Sequence, residues 1–505
     1  MNQNLYALIQ SRIPADTLKP FLVLPTGRTV SYADMDYWSA KFASVLAEAG
    51  VSPGDRVVVQ TDKSPEAVML YLACLRVGGI YIPLNTAYTP SEVEYFLNDA
   101  EPVVLVCRPK SLEALSDIAT HAAVKQTFVM DADGSGTLTE AAAVAAPIED
   151  IVECETDDLA AILYTSGTTG RSKGAMLSHG NLSPNARTLH RLWAFEDSDV
   201  LLHALPIYHV HGLFVALHCA LMNGSTIHFL DKFDPETVIR LLPTSTVMMG
   251  VPTFYTRLLD EPGFTSDVSK NIRLFVSGSA PMLAETHVQF TERTGHKILE
   301  RYGMTEGGMI TSNPYDGDRV PGTVGPALPD VEVRICNKEG TPVAAGEIGV
   351  LEYKGPNLFK GYWRMPDKTA EEFRADGYFI SGDNAIMDAE GRVSIVGRDK
   401  DLIITGGYNV YPKEIEIEID QMDGVIESAV IGLPHKDFGE GVTAVVVAQA
   451  EASVSEKDIV DALKGKLARF KQPKKVYFVS ELPRNAMGKV QKNALRETYA
   501  GTYGS

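Results

Sequence analysis

The chain begins with an alternation of strand-like and helix-like patterns, and this alternation restricts its fold more than any other feature. The predicted elements are a helix at 31–49, a strand at 56–60, a helix at 65–77, a strand at 81–83, a helix at 90–98 and a strand at 103–106. The alternation returns between residues 201 and 275. Such a pattern predicts α/β layers around a mainly parallel sheet, because each crossover helix packs onto the sheet whose strands it joins.

The pattern changes near residue 315, where short β-rich segments are separated by Gly and Asp turns. The segments 331–336, 350–353 and 393–395 predict a small β subdomain. A charged turn follows at 397–401, and beyond it come a glycine-rich turn, a helix, strands and a basic helix. Because 505 residues are too many for one core, we expect a large N-terminal domain at 1–399 and a small α+β C-terminal domain at 400–505.

The net charge and the cysteine content indicate which binding partners and which cellular compartment to expect. The formal net charge of −19 repels nucleic acid and anionic membranes, so we expect neither as a partner. Five scattered cysteines without a CxxC pair predict reduced, mostly buried thiols, and the first residues lack the pattern of a signal peptide. These features favour a cytoplasmic protein.

A loop rich in glycine and hydroxyl side chains, YTSGTTGRSKG at 164–174, follows an apolar strand at 160–163. Glycines let backbone N–H groups point into a concavity, and hydroxyls and a lysine add donors and charge, which suits a polyphosphate. It differs from the Walker loop because Ser172 precedes the lysine. The candidate phosphate-binding residues are Thr165, Ser166, Gly167, Thr168, Thr169, Gly170 and Lys173. The alternative is a flexible surface loop.

Further motifs follow this loop in a fixed order. They are YGMTE at 302–306, SGD at 381–383, GRDKD at 397–401, GYNVYPKEIE at 407–416 and PRNAMGK at 483–489. Together with the loop, they resemble the adenylate-forming superfamily, which comprises acyl-CoA synthetases, peptide-synthetase adenylation domains and luciferases. The resemblance covers nearly the whole chain. It implies activation of a carboxylic acid by ATP and Mg²⁺ to an acyl-adenylate, followed by transfer to coenzyme A.

The resemblance also implies roles for individual residues. Negative charge builds on the phosphoryl oxygens when pyrophosphate leaves, so cations and N–H donors must surround them. Thr305 would contact the α-phosphate, and Glu306 would be the magnesium ligand. The remaining nucleotide-binding candidates are Ser279, Ala280, Arg301, Tyr302 and Gly303 near the adenine and α-phosphate, and Asp383 with Arg398 at the ribose. Taken singly, Asp383 is also typical of a turn and Glu306 of a solvated acid.

A lysine near the end, Lys489, matches the family's catalytic lysine. The resemblance implies that it bridges the acid and the α-phosphate, and that the small domain then rotates about Lys400 to withdraw it. Rotation would present the turn Gly406, Gly407 and Tyr408 to the pantetheine arm of coenzyme A. Some bacterial members are acetylated at this lysine, which implies an acetyltransferase and a deacetylase as partners. The alternative is an ordinary surface lysine.

The segment 464–475 concentrates six basic residues in an acidic protein. Lys471 and its neighbours are candidates for contact with the phosphates of coenzyme A. A solvated helix face followed by a turn is the competing interpretation.

The acid itself is indicated by residues around two motifs. The segment PIYHVHG at 206–212 resembles the family's acyl-pocket segment, with His209 beside the carboxylate. Arg301 directly precedes YGMTE, and a guanidinium there suits a second carboxylate. The alternative is that Arg301 only orders the nucleotide site. Further acid-site candidates are Arg257 as a second clamp and Val210, Met304 and Met309 around a 2-substituent.

The amino-acid sequences of both motifs are most similar to those of malonyl-CoA synthetases. This resemblance implies malonate, with methylmalonate, as the first expected substrate and a short monocarboxylate as the second. A histidine-based metal site is not expected, because no third ligand accompanies His209 and His211. Three rival functions stay open at this point. They are a stand-alone loader of a carrier protein, a luciferase-like oxidase, and a catalytically inactive nucleotide-binding regulator.

Overall fold

The computed structural model describes residues 2–165, 172–405, 408–435, 437–449, 454–464, 466–467, 469–485 and 488–503, without the side chain of Asn409. The first elements are α1 (Leu5–Gln10), β1 (Pro20–Val23), β2 (Thr29–Ser31), α2 (Tyr32–Glu48), β3 (Arg56–Gln60), α3 (Pro65–Arg76), β4 (Ile80–Pro83), α4 (Pro90–Ala100), β5 (Val104–Cys107), α5 (Pro109–His121), β6 (Gln126–Val129), α6 (Thr137–Val144), β7 (Leu159–Thr165) and β8 (Lys173–Ser178). The predicted alternation is therefore present, and each predicted element of the opening segment overlaps an observed one.

The middle of the chain continues the alternation. Its elements are α7 (His179–Leu192), β9 (Val200–His203), a π-helix (His211–Ala216), α8 (Leu217–Leu221), β10 (Thr226–Phe229), α9 (Pro235–Leu241), a 3₁₀ turn (Leu242–Thr244), β11 (Val247–Gly250), α10 (Pro252–Asp260), α11 (Ser266–Ser269), β12 (Leu274–Ser277), α12 (Ala284–Thr294), β13 (Leu299–Met304) and β14 (Gly308–Ser312). These strands and those before them form two sheets. One has the order β14-β13-β12-β11-β9-β10-β1-β2 and the other β6-β5-β3-β4-β7-β8.

The last part is richer in antiparallel strands. Its elements are β15 (Glu332–Cys336), β16 (Gly349–Lys354), α13 (Pro366–Glu371), β17 (Phe379–Met387), β18 (Val393–Arg398), a 3₁₀ turn (Asp399–Asp401), β19 (Ile403–Thr405), β20 (Tyr408–Val410), α14 (Pro412–Asp420), β21 (Val425–His435), β22 (Gly439–Ala448), α15 (Glu456–Leu463), β23 (Lys475–Val479) and α16 (Lys492–Thr498). Strands β15 to β18 form the expected small β sheet. The strands from β19 onward form a separate sheet with its own apolar core, which gives the expected small α+β unit.

Local sequence signals explain where several helices begin. Ser31 caps α2 by accepting from the backbone N–H of Asp34, whose side chain bonds back to the cap. Thr89 and Glu92 make the same capping box at α4, where Pro90 also occupies the first turn. Such caps stabilise a helix by about 1 kcal/mol each, because they satisfy N–H groups that have no partner within the helix.

The packing of alternate strand residues shows that the large part is built in layers. In β3, Val57 and Val59 lie in the main core, which also contains helices α2 and α3 and residues of both large sheets. Val58 between them faces a second cluster with α4 and α5. On the other large sheet, Met248 of β11 faces a third cluster with α10 and α12. Each large sheet is therefore apolar on both faces, as parallel sheets require.

One sheet edge gathers the chain segments that matter for function. Strands β9, β11, β12 and β13 are parallel neighbours, so their carboxyl ends lie at the same edge. The segment 206–212 follows β9, residues 252–257 follow β11, and residues 278–281 follow β12. This edge of an α/β sheet is the usual place for a ligand site.

Two smaller findings complete the fold. All five cysteines are buried and unpaired by disulfides. Within the described ranges, no helix combines the length and apolar character that crossing a bilayer requires.

Candidate active site

Arg301 is the most unusual side chain at the sheet edge. It lies in β13 and is only 3% exposed. Among the described residues, its Nε and Nη2 have no hydrogen-bond partner. Burial lowers the pKa of its guanidinium to about 9. Since buried unpaired donors on a charged group are costly, the arrangement is one that an anionic ligand would complete.

The groups electrostatically closest to Arg301 do not neutralise it. Tyr255 and Cys219 are fully buried, and burial raises the pKa of each, so both stay neutral. Burial, followed by the charge of Arg301, lowers the pKa of His209 to about 4 and that of His211 well below its ordinary value. Both imidazoles are therefore neutral at physiological pH, and the guanidinium keeps an uncompensated positive charge.

Three segments supply the other residues that the sequence predicted for the acid. His211 lies 3.2 Å from the Oγ of Ser279 through its Nδ1, which connects the segment 206–212 to the turn after β12. Ser279 has a left-handed backbone with φ of 70°, which is uncommon for a residue with a side chain. Val210 and Met309 are buried, and Met304 at the end of β13 is partly buried.

Gly278 permits the position of Arg301. A Cβ atom at residue 278 would overlap the guanidinium, because that group lies directly against the glycine backbone. We expect Gly278→Ala to displace Arg301 and to lower kcat/KM for the acid by about 10- to 100-fold, since misplacement by about 1 Å has effects of this size. Steady-state kinetics with purified variants measures it.

Gly263→Ala is a matched control, because the nearest atom to its added Cβ would be 4.0 Å away. Equal activity of the Gly278→Ala and wild-type proteins would contradict the assigned role of Arg301.

A second group of residues surrounds Asp383. This residue lies inside β17, not in a free turn, and is 4% exposed. Its Oδ1 accepts from Nε of Arg398 at 2.8 Å, and its Oδ2 accepts from the hydroxyl of Tyr302 at 2.5 Å. The neighbouring Gly382 has φ of 70°, which bends the strand there. A carboxylate fixed in this way can accept bonds from a pair of vicinal hydroxyls.

A third group lies at the base of the phosphate loop. Thr165 and Lys173 pair at the ends of β7 and β8, so the loop is the connection of an antiparallel pair. Nζ of Lys173 lies 2.9 Å from Oε1 of Glu372 and 4.0 Å from the ring centre of Tyr362. The Tyr362 hydroxyl lies 3.0 Å from Oε1 of Glu306 and 2.6 Å from Oε2 of Glu372.

Glu306 is 6% exposed, and burial raises the pKa of its carboxyl group. Two carboxylates, one phenol and one lysine therefore converge beside the loop. This combination of oxygen donors and positive charge suits a metal–polyphosphate complex.

Lys489 approaches these groups from the C-terminal part. The N–H of Gly488 donates to Asn485 O at 2.8 Å, and the N–H of Lys489 donates to Asn485 Oδ1 at 2.9 Å. The Gly488 backbone lies against Thr253 at the start of α10. Lys489 is exposed to solvent. Desolvation by the surrounding protein, followed by the positive charge of Arg398, lowers the pKa of the Lys489 ammonium to about 8.

The sequence comparison identifies the family. The model of the AMP-binding enzyme family matches residues 14–363, and the model of the AMP-binding enzyme C-terminal domain matches residues 414–489. The chain belongs to the AMP-binding enzyme family. The resemblance to adenylate-forming enzymes that the motifs indicated is thereby confirmed.

Two relatives of this AMP-binding enzyme are informative. A mitochondrial malonate–CoA ligase of Mus musculus is 38% identical over 456 residues, which are 83% of this chain and 77% of the relative. MatB from Rhodopseudomonas palustris is 55% identical, and the match covers 100% of both chains. The TM-score is 0.98 against its ATP-bound structure and 0.85 against its apo structure. At the same identity, this chain therefore has the domain arrangement of the ATP-bound relative.

Among the described residues, the structure groups site candidates around Arg301, Asp383 and Lys173 but separates Arg257 from them. Arg257 is exposed on α10 and lines a cavity of about 330 Å³ that also includes Lys63 and Tyr208. The α10 residue beside Arg301 is Tyr255 instead. Thr305 is partly buried just beyond β13, between Tyr302 and Glu306. The predicted loop residues Ser166, Gly167, Thr168, Thr169 and Gly170 lie outside the described residues.

The residues predicted for coenzyme A lie on the C-terminal part. Tyr408 is 57% exposed and stacks on Phe470 with ring centres 4.6 Å apart. Nζ of Lys471 is 2.6 Å from Oε1 of Glu414. Gly406 and Gly407 lie outside the described residues. The exposed ring of Tyr408 offers an apolar surface to a ligand.

Lys400 lies in the 3₁₀ turn between β18 and β19, where the two parts of the chain join. Its neighbour Asp401 accepts from Arg496 at 2.7 Å, which fastens α16 to this turn. Burial lowers the pKa of the Lys400 ammonium, as does the nearby charge of Arg398.

The sequence did not predict Glu372 and Tyr362, which lie beside Lys173 at the base of the phosphate loop. Glu372 is 199 positions from Lys173, and neither residue stands in a motif that suggested a role. The sequence contains no signal for Tyr362. It contains none for Glu372 either, because a glutamate at the end of a short helix is usually a solvated charge.

Proposed function

We propose that this protein is an ATP-dependent malonate–CoA ligase, which forms malonyl-CoA, AMP and pyrophosphate. The observation that carries the choice of acid is the buried guanidinium of Arg301, whose Nε and Nη2 have no partner among the described residues and whose neighbours are neutral. Malonate has a second carboxylate that such a fork binds in a bidentate manner, whereas a monocarboxylate would leave the charge unpaired. Val210, Met304 and Met309 would border the 2-position, so methylmalonate is proposed as a second substrate.

In the first step, an oxygen of the reacting carboxylate attacks the α-phosphorus of ATP, and the bond to the pyrophosphate oxygen breaks. Lys489 would hold the attacking oxygen and the α-phosphate together, because its ammonium can contact both. Thr305 would donate to the α-phosphate, and His209 would border the reacting carboxylate. Preorganised donors of this kind stabilise the charge that develops in the transition state.

The nucleotide would be held by the groups around Asp383 and Lys173. Asp383, fixed by Arg398 and Tyr302, would accept from both ribose hydroxyls. The loop 165–170 and Lys173 would hold the β- and γ-phosphates. Gly303, Ser279 and Ala280 would border the adenine and α-phosphate. The fixed carboxylate of Asp383 supports this assignment, since its two oxygens are already oriented.

Magnesium fits the residues beside the loop. Glu306 is buried with an oriented carboxylate, and an oxygen ligand together with phosphate oxygens and waters is the environment that Mg²⁺ prefers. When bound, the ion supplies positive charge to the polyphosphate. Glu306 would hold it, and Lys173 would bind the phosphate oxygens next to it.

In the second step, the thiolate of coenzyme A attacks the acyl carbon and AMP leaves. This step requires Lys489 to withdraw, so we place a hinge at Lys400 between domains 1–399 and 400–505. Gly406, Gly407 and Tyr408 would line the path of the pantetheine arm, with Lys471 near the phosphates of coenzyme A. Acetylation of Lys489 would remove its charge and stop the first step.

Pyrophosphate release with a panel of acids tests the proposed function. The panel consists of malonate, methylmalonate, acetate, butyrate and coumarate, each with ATP, Mg²⁺ and coenzyme A. We expect malonate to give the highest kcat/KM and the monocarboxylates values lower by about 2–4 kcal/mol in transition-state binding, the cost of leaving a buried charge unpaired. A monocarboxylate that equals malonate would reject the assignment.

The pH dependence of adenylation follows from Lys489. Its pKa is lowered to about 8, so the cationic form that the reaction needs disappears as the pH rises through this value. We expect ATP–pyrophosphate exchange to fall above about pH 8, by about tenfold per pH unit once the lysine is mostly neutral. In Lys489→Arg, any residual exchange should keep its rate through this range, because arginine stays charged. A fall at the same pH in both proteins would assign the titration to another group.

A further inference from the structure

A chain of hydrogen-bonded polar groups runs from Lys63, which is partly buried, through the fully buried His203 to Gly212, apart from the residues assigned above. Nζ of Lys63 lies 2.9 Å from Nδ1 of His203 and 2.9 Å from its backbone oxygen. Nε2 of His203 lies 2.9 Å from the backbone oxygen of Gly212. Nζ of Lys63 also lies 4.3 Å from the ring centre of Phe229. Burial lowers the pKa of this lysine well below its ordinary value, and its amino group can donate a hydrogen bond whether charged or neutral.

These contacts fix the tautomer of His203. A carbonyl oxygen only accepts, so Nε2 must carry the proton that is donated to Gly212. His203 is 0% exposed, and burial lowers its pKa well below the ordinary value, so the ring is neutral. Nδ1 is therefore a lone-pair acceptor, and Lys63 is the donor that satisfies it.

The receiving residue, Gly212, belongs to the π-helix (His211–Ala216), whose first two residues are the end of the segment 206–212. Its carbonyl accepts from the N–H of Leu217 as well as from His203. A Cβ at residue 212 would overlap the backbone oxygen of Pro206, so the segment folds closely back on itself here. Such π-turns are uncommon and need specific support, because their hydrogen bonds are widely spaced.

The two histidines that precede Gly212 lie beside Arg301. His211 contacts Ser279 at 3.2 Å, and both His211 and His209 lie close enough to Arg301 for its charge to lower their pKa. A shift of the carbonyl at Gly212 would therefore move both imidazoles relative to Arg301. An apolar residue at position 63 would fill space at lower desolvation cost, but it would leave Nδ1 of His203 buried without a donor.

We propose that Lys63 and His203 are positioning residues for the acid site, holding the turn at Gly212 and, through it, His209 and His211. This inference rests on the proposed function only in that the segment 206–212 borders the acid. It assigns to both residues a role in acid recognition without contact with the acid.

ATP–pyrophosphate exchange tests the proposal with four variants, Lys63→Met, His203→Leu, His203→Gln and the double variant Lys63→Met/His203→Leu. We expect Lys63→Met and His203→Leu each to lower kcat/KM for the acid by about 10- to 100-fold, mainly through a higher KM for the acid. The KM for ATP should stay within about twofold of the wild-type value, because the ribose and phosphate groups are held elsewhere. The amide of His203→Gln can donate to Gly212 and accept from Lys63, so this variant should recover most of the loss.

The double variant should be no worse than His203→Leu alone, since both single changes break one connected chain. Lys41→Met is the matched control. Lys41 is buried, at 7% exposure, and like Lys63 it donates to a backbone oxygen, that of Ala143, at 2.8 Å. A merely structural role predicts lower kcat with both KM values unchanged, the same loss in Lys41→Met, additive single effects and no recovery by glutamine. Any of these results would overturn the proposal.

These assays use the acid that the wild-type protein activates best. If that acid is not a dicarboxylate, the proposed function fails, while the kinetics of the four variants with the preferred acid still decide on Lys63 and His203.

Discussion

Arg301→Met is expected to lower kcat/KM for malonate by about 2–4 kcal/mol, or roughly 30- to 1,000-fold, while leaving activity with butyrate unchanged or higher. The reason is that the guanidinium is buried without partners for Nε and Nη2 among the described residues. Malonate would supply the missing carboxylate, and methionine cannot replace that interaction. Butyrate gains nothing from the charge and is opposed by the cost of keeping it desolvated.

The same substitution should not destabilise the fold. Removing a buried, unpaired charge relieves a desolvation penalty, so we expect the melting temperature of Arg301→Met to equal or exceed that of wild type. A variant that loses malonate activity through misfolding would instead melt earlier. The two measurements together therefore separate a role in binding from a role in packing.

Arg257→Met is the matched control for this prediction. It removes an arginine that the sequence suggested as a second clamp but that lies exposed on α10. We expect at most a small change in malonate kinetics, because the charge is screened by solvent. Equal losses for malonate and butyrate in Arg301→Met would show that the residue orders the nucleotide site and would remove the case for a dicarboxylate.

The fold was predictable from the sequence to the extent that its signals are local. Val57 to Val59 in β3 and the capped start of α3 at Ser64 are set by neighbouring residues, so the alternation was readable. Arg301 was identified because it adjoins a motif whose place in the family is known. The sequence could not predict that Nε and Nη2 of Arg301 lack a partner among the described residues. The surroundings of the guanidinium depend on Gly278 and on segments that meet only in the folded chain.

Residues paired across long separations could not be predicted. His203 is 140 positions from Lys63, and each residue alone fits a solvated lysine or a satisfied core histidine. Gly278 reads as a turn residue in sequence, whereas in the structure it provides the space for a guanidinium. In each case the chemistry belongs to a pair, and the pattern of one partner contains no information about the other.

Lys489→Ala should separate the two half-reactions. We expect ATP–pyrophosphate exchange to fall by about 10²- to 10³-fold, the usual effect of removing one preorganised group that stabilises transition-state charge. Transfer of a supplied malonyl-adenylate to coenzyme A should keep a rate within about twofold of wild type, because the lysine has no part in the attack of the thiolate. The two rates are measured separately, by isotope exchange and by rapid mixing.

Two other lysines make the comparison decisive. Lys270 is an exposed lysine that pairs with Asp267 three positions earlier, so Lys270→Ala should alter neither half-reaction. Lys471→Ala should do the reverse of Lys489→Ala, raising the KM for coenzyme A without affecting exchange, if the basic segment meets the phosphates of coenzyme A. The loop of Lys489 packs against Thr253 in the present arrangement, which matches that of an ATP-bound relative. If Lys489→Ala slowed both half-reactions equally, the lysine would be needed to hold the two domains together, and the proposed rotation about Lys400 would lose its main support.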